Sequence, residues 1–238
     1  MHVRRINNRR LDNIRMVICD VNNTLAPIGK PPTKETIDQL HELEAKGVML
    51  VLASGRSVEY LKGFSRATGI HPLFIGDNGS IVHDFERYTS IKLGPKVKNV
   101  SEIKKVLRKV YGKRIMFVSQ ESSLLIEHKY SRRIAKMIAY DARKLAKRMK
   151  MNLRIGISGN GAVYISWMHI NKGSALDRLK SLYYIKKNEM VAIGNDGNDR
   201  QLIPKVGLFI GVGKRIRHKD IVRFDSIESA LRYVNRLC

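Results

Sequence analysis

Met16-Val17-Ile18-Cys19-Asp20-Val21-Asn22-Asn23-Thr24-Leu25 is the stretch from which the rest of the chain can be read. Four apolar residues run without alternation into a carboxylate, the pattern of a strand buried on both faces of a parallel sheet. The residues that follow, to Pro32, are rich in Asn, Gly and Pro and predict a loop. Thr33–Lys46 then places Ile37, Leu40 and Leu43 on one helical face, with Gly47 as its stop. Val48–Ala53 repeats the buried-strand pattern and runs into Ser54-Gly55-Arg56. Val58–Thr68, closed by Gly69, predicts a second helix, and Pro72–Ile75 a short third strand. Alternation of this kind predicts a parallel α/β sheet with right-handed crossovers.

Further along, the pattern breaks. Residues 83–158 hold short alternating segments, such as Arg114–Val118 and Leu124–Glu127, with helical stretches near Glu102–Val110 and Ser131–Lys150. Alternation returns with helix Lys172–Leu182, strand Met190–Ile193, loop Gly194–Asp199, strand Leu208–Ile210 and a last helix near Ser226–Arg236. The expected architecture is a discontinuous Rossmann-like α/β core, 1–82 and 159–238, interrupted by an α+β insert at 83–158.

Charge is the abnormal quantity. The 238 residues carry 45 Lys and Arg against 21 Asp and Glu, a net charge of +24. An excess of that size says little about fold and much about partners. Residues 101–150 alone hold 15 basic and 4 acidic groups. Within Ser131–Lys150, Ile134, Ile138, Ala142, Leu145 and Met149 form one apolar stripe, with Ser131 as N-cap. Arg132, Arg133, Lys136, Arg143, Lys144, Lys147 and Arg148 fall mainly on the other side. Smaller basic clusters are Arg4, Arg5, Arg9 and Arg10, and Lys214, Arg215 and Arg217 with His218 and Lys219. A cationic helix face of this kind suits phosphate contacts to a polyanion. Tyr130, Tyr164 and Trp167 could stack on bases, though packing is their commoner use. No apolar run approaches the ~20 residues of a membrane span. The basic first fifteen residues lack the apolar centre of a secretory signal. Two cysteines, Cys19 and Cys238, fit a reducing cytoplasm, and the seven His residues show no metal spacing.

In an open parallel sheet, ligands bind beyond the carboxyl ends of the strands. There this chain offers Asp20, Ser54-Gly55-Arg56 and Gly194-Asn195-Asp196-Gly197-Asn198-Asp199, with Lys172 opening a helix. A carboxylate, a hydroxyl, a lysine and an acid- and amide-rich loop suit phosphate chemistry. The carboxylate can attack phosphorus, the hydroxyl and lysine can hold phosphoryl oxygens, and the late acids can hold a divalent ion.

These residues, in this order, resemble the motifs of the haloacid dehalogenase superfamily. The nearest branch is the Cof-like group that includes archaeal phosphoglycolate phosphatases. The matches are Asp20-Val21-Asn22-Asn23-Thr24-Leu25, Ser54-Gly55-Arg56, Asp77-Asn78-Gly79, Lys172-Gly173-Ser174-Ala175-Leu176 and Gly194 to Asp199. The resemblance implies that the insert is a cap over the active site. It implies a catalytic group of Asp20, Asn22, Ser54 and Lys172, and a magnesium site at Asp20, Asn195 and Asp199. Two positions depart from it. Asn22 stands where the superfamily has its general acid, and Asn195 where it has a charged magnesium ligand. An amide relays no proton, and a neutral oxygen holds a hard cation less well than a carboxylate. Asn23 replaces a glycine, and Asn tolerates the left-handed backbone better than most residues.

The leading expectation is therefore a catalytically degenerate member of this superfamily. It would bind structured RNA, ribosomal RNA for example, beside ribosomal proteins in the cytoplasm, with no cofactor and no membrane. The alternative is a Mg2+-dependent phosphomonoesterase acting on small phosphorylated molecules.

Overall fold

A computed structural model describes residues 11–84, 87, 89–94, 100–119, 123–128, 131–158 and 161–238. Arg4, Arg5, Arg9, Arg10 and Tyr130, singled out above, lie outside the described residues. The first unit alternates β1 (Met16–Asp20), α1 (Lys34–Ala45), β2 (Met49–Ala53), α2 (Val58–Thr68) and β3 (Leu73–Gly76). A hairpin follows, β4 (Ile81–Asp84) and β5 (Thr89–Lys92). The second unit comprises α3 (Val100–Tyr111), β6 (Ile115–Ser119), β7 (Leu124–His128), α4 (Arg132–Arg148), β8 (Leu153–Ile157) and β9 (Val163–Trp167). The chain then returns through α5 (Lys172–Tyr183), β10 (Met190–Gly194), β11 (Leu208–Val212), β12 (Val222–Phe224) and α6 (Ile227–Asn235). A 3-10 helix, Gly197–Lys205, links β10 to β11.

Among the described residues the main sheet has eight strands, in the order β12-β11-β10-β1-β2-β3-β4-β5. The six from β12 to β3 are parallel, and β4 and β5 add antiparallel at one edge. The strand pleat sorts side chains onto two faces. Val17, Cys19, Leu50, Leu52, Val191 and Ile193 pack against α1, α2 and α6. Met16, Ile18, Val51, Ala53, Met190 and Ala192 pack against α5. Both faces are thus covered, which is why β1, β2 and β10 read as unbroken apolar runs. Cys19 is buried in the first of these layers, and burial, reinforced by Asp20, pushes its thiol up to about 12.

The second unit has its own core. Its antiparallel sheet, β6-β7-β9-β8, is backed on one face by α3 and α4. Leu124, Ile126, Ile155, Val163 and Ile165 point into that core, against Ile103 and Leu107 of α3 and Ile138 and Ala142 of α4. The alternate residues, Leu125, Glu127 and Tyr164, project from the other face.

The insert boundaries at 83 and 158 need correction at both ends. Ile81–Asp84 and Thr89–Lys92 pair into the main sheet, and the second sheet extends to Trp167. The hairpin was hard to read because β5 is short, mostly exposed and polar. Helix α4 starts at the expected point, yet the Ser131 side chain makes no capping bond. Trp167 packs against the core of the second unit. No helix among the described residues is long and apolar enough to cross a membrane.

Candidate active site

The carboxyl ends of β1, β2 and β10 deliver Asp20, Ser54 and Asn195 to one cleft. Asp20 is 6% exposed. One of its oxygens, Oδ1, accepts from Lys172 Nζ at 2.7 Å, and Oδ2 accepts from Thr24 Oγ1 at 2.8 Å. Lys172 Nζ also donates to Asp199 Oδ1 at 2.7 Å. The other Asp199 oxygen accepts the backbone N–H groups of Asn195 and Asp196, both at 3.0 Å. One buried ammonium therefore bridges two buried carboxylates.

The electrostatics follow from that count. A single positive charge offsets only one of two negative ones. Burial, with the Asp199 charge behind it, pushes Asp20 up to about 6, against the pull of Lys172 and Thr24. Burial alone would lower Lys172, but the charges of Asp199 and Asp20 outweigh it and hold the ammonium above its ordinary range. Lys172 therefore stays protonated beside both carboxylates.

Local sequence explains how Lys172 reaches that point. Asn171 and Ser174 form a reciprocal cap at the start of α5, with both side-chain to backbone bonds at 3.0 Å. The turn after β3 braces the same spot. Asp77, Asn78 and Gly79 all have left-handed backbone, with φ of 51°, 54° and 101°. A Cβ on Gly79 would lie 2.1 Å from the Asn171 carbonyl oxygen, so only glycine lets this turn meet α5. At Gly173, a Cβ would lie 2.6 Å from the Gln201 carbonyl oxygen, so glycine also lets α5 lie against the 3-10 helix.

The two asparagines are held in place. Asn22 Nδ2 donates to Ser54 Oγ at 3.4 Å, and its Oδ1 accepts from the Tyr60 hydroxyl at 3.3 Å. Asn195 Nδ2 donates to the Asn23 carbonyl at 2.5 Å. Asn23 has φ 58°, so the turn survives without glycine. Asp196 Oδ1 accepts from Gly197 N at 2.6 Å, an N-capping role rather than a substitute for the acid position.

The cleft holds about 70 Å3, and the second unit roofs it with Leu125, Ser158 and Tyr164. Arg56 crosses between the units, donating through Nη1 to Glu127 Oε1 at 2.9 Å. Its guanidinium carbon also lies 5.7 Å from the Tyr60 ring centre. Burial raises the Tyr164 phenol above its ordinary range. Asp20, Asn22, Ser54 and Asn195 therefore line one cleft, with Lys172 and Asp199 buried behind it. Sequence reading missed Tyr60, Glu127 and the roof residues Leu125 and Ser158. Tyr60 could have been flagged by its place one turn after Ser-Gly-Arg, and the roof by strand alternation.

The basic residues lie elsewhere. Arg132, Arg133, Lys136, Lys144, Lys147 and Arg148 are exposed on α4, behind the sheet from the cleft. Arg143 is exposed too, and its Nη2 donates to the Ile155 carbonyl at 2.8 Å. In the loop after β11, Lys214, Arg215 and Arg217 are exposed.

A family model described as haloacid dehalogenase-like hydrolase matches residues 17–146 and 135–217. The chain belongs to that family. A phosphoglycolate phosphatase of Staphylothermus marinus is 25% identical over 88% of this chain and 91% of its own length. Another, phosphoglycolate phosphatase 1 of Saccharolobus solfataricus, is 24% identical over 84% of this chain and 83% of its own. A haloacid dehalogenase-like hydrolase of Bacteroides thetaiotaomicron superposes with a TM-score of 0.79 at 14% identity, covering 93% of this chain and all of that one. Thermoplasma acidophilum 0175 gives a TM-score of 0.76 at 19% identity, covering 95% of this chain and 100% of that one. These solved structures share the fold.

The family implies a divalent cation. Among the described residues, no three His, Cys, Asp or Glu side chains cluster as metal ligands. Of the three expected ligands, Asp199 is taken up, its oxygens bound by Lys172 and by the Asn195 and Asp196 amides, but the residues lining the cleft still suit a hard ion: the Asp20 carboxylate, the Asn195 amide and Asn198, whose Oδ1 is a buried atom with no hydrogen-bond partner. The set fits Mg2+, with less charge than two facing carboxylates would supply.

Proposed function

We propose that the chain hydrolyses small phosphorylated molecules through a phosphoryl-enzyme intermediate on Asp20. The observation that carries this reading is the buried Asp20–Lys172–Asp199 bridge, which aims a carboxylate at a cleft of small volume. Relatives named phosphatases along most of the chain's length support it. They favour hydrolysis over a catalytically silent scaffold.

In this reading Asp20 is the nucleophile, and Thr24 orients it through the 2.8 Å bond. Lys172 keeps Asp20 in register. Ser54 Oγ and the cleft-lining Arg56 receive the phosphoryl oxygens. The roof residues Leu125, Ser158 and Tyr164 limit substrate size. Mg2+, held by Asp20 with Asn195 and Asn198, would offset charge on the transferring group.

The test is release of phosphate from a panel of small phosphorylated molecules, with and without Mg2+. Turnover that disappears in Asp20→Asn supports the reading, and none on any member overturns it. Asn195→Asp is expected to raise the apparent Mg2+ affinity by about tenfold or more, the charge of one added carboxylate ligand. Mg2+-dependent thermal stabilisation measures this without reference to activity.

A second reading concerns α4. Among the described residues, no salt bridge reaches Arg132, Arg133, Lys136, Lys144, Lys147 or Arg148, which leaves a cationic face without internal neutralisation. This favours a polyanionic partner, structured RNA in the first instance. The face points away from the cleft, so the two roles are separable. Changing Arg133, Lys136, Lys144 and Lys147 together to Gln should lower the salt slope of RNA binding by about one per phosphate contact removed. Phosphate release from small molecules should be unaffected. An unchanged slope in filter binding across a salt series rejects the assignment.

A further inference from the structure

Asn22 decides which bonds this site can break. It lines the cleft with Asp20, and long hydrogen bonds to Tyr60 at 3.3 Å and Ser54 at 3.4 Å orient its amide. An amide can give a leaving oxygen a hydrogen bond but not a proton. The other cleft groups offer no replacement. Asp196 is engaged at the start of the 3-10 helix, Arg56 is a guanidinium paired with Glu127, and Tyr164 is a phenol that burial makes a weaker acid.

Resting on the hydrolase reading above, we propose that the substrates are activated phosphates, acyl phosphates first and aryl phosphates second, whose leaving groups depart as anions. In the first step an Asp20 oxygen bonds to phosphorus, the bond from phosphorus to the leaving oxygen breaks, and that oxygen takes the electron pair. A carboxylate, whose acid has a pKa of about 4, departs unprotonated, and a phenolate less readily at about 10. An alkoxide of a simple alcohol is a far poorer leaving group. In the second step water attacks phosphorus and the Asp20 carboxylate leaves. Both water protons remain on the released dihydrogen phosphate, so no protein acid is needed for balance. With no base at position 22 to activate that water, the second step is the slower one.

The consequence is a covalent enzyme that accumulates. The experiment compares acetyl phosphate, p-nitrophenyl phosphate and 2-phosphoglycolate on the natural protein and on Asn22→Asp. For the natural protein we expect kcat/KM to fall steeply from acyl to alkyl substrate. We also expect a burst of about one leaving group per molecule and a phosphoryl adduct on Asp20 in acid-quenched mass spectra. Asn22→Asp should improve the alkyl ester over acetyl phosphate by roughly 10²–10⁴-fold, the usual contribution of a general acid. The proposal is overturned if the natural protein already handles the alkyl ester as well, relative to acetyl phosphate, as Asn22→Asp does. It is also overturned if neither burst nor adduct is seen during turnover. If Asn22→Asp does not fold, the burst and the adduct decide alone. Failure of the parent reading looks different: phosphate release from none of the three substrates, and no distinction from Asp20→Asn.

Discussion

Replacing Lys172 with Met is expected to lower folding stability by roughly 3–5 kcal/mol at neutral pH, the loss seen when a buried ion pair is broken from one side. Lys172 is 1% exposed and is the shared partner of Asp20 and Asp199, at 2.7 Å from each. Methionine fills much of the volume but leaves two buried carboxylates facing each other. The Asp199 oxygen bound to the Asn195 and Asp196 amides keeps those bonds, so the injury falls on Asp20 and on the oxygen that faced the lysine. Urea denaturation at pH 7 measures the loss. The same titration at pH 5 should show a smaller one, because protonating a carboxylate removes the repulsion. Adding Asp199→Asn should recover part of the stability. A loss under about 1 kcal/mol would show that the bridge contributes little, in the range of exposed pairs.

The second large effect is on chemistry. Asp20→Asn should remove phosphate release to background, a fall on the order of 10⁴-fold or more for a missing nucleophile. Stability should change far less. Because Asp20 sits at about 6 when folded, against an ordinary 3.8, its charged form is the disfavoured one in the native state. The stability it contributes is therefore complete below 3.8 and is lost as pH rises through about 6. The amide introduced by Asp20→Asn carries no charge and escapes that penalty, while Lys172 keeps Asp199. The same property gives activity its acid limb. The nucleophile must be ionised, so kcat/KM of the natural protein should rise with pH on an acid limb set by Asp20, at about 6 for the metal-free carboxylate and lower once Mg2+ binds it. Absence of any acid limb from the profile would mean that Asp20 is not the ionising group, and an unchanged Asp20→Asn rate would remove Asp20 from the reaction.

Much of this was legible from β1 onward. Unbroken apolar runs ending in Asp20, Ser54 and Gly194 announce parallel strands covered on both faces, and parallel strands put their carboxyl ends together. Asp20, Ser54, Lys172 and Asp199 were readable for that reason, since each stands at a strand end, in the loop beyond one or at a helix start. Contacts across the two units were not. Glu127 meets Arg56 only because β7 turns its second face toward the cleft, and no spacing in the sequence fixes how an insert sits on its host. Tyr60 was missed because an aromatic residue in the first turn of a helix is ordinarily packing. The cationic stripe on α4 was legible as a helix face, but its direction, away from the cleft, depends on which side of the sheet the helix covers. The boundary error at 83 has a simpler origin, because β5, the exposed polar strand of the hairpin, carries little apolar signal.

The parallel pairing of Met16 with Met190 has a kinetic consequence. β10 must find β1 across the whole length of the interrupting unit, and such distant pairings are slow because the tether must be closed before any contact rewards it. A unit with its own apolar interior can collapse early and draw its two ends together. Once it has, the effective tether is shortened by the length of that unit, so the roof over the cleft would also act as a folding aid for the floor beneath it.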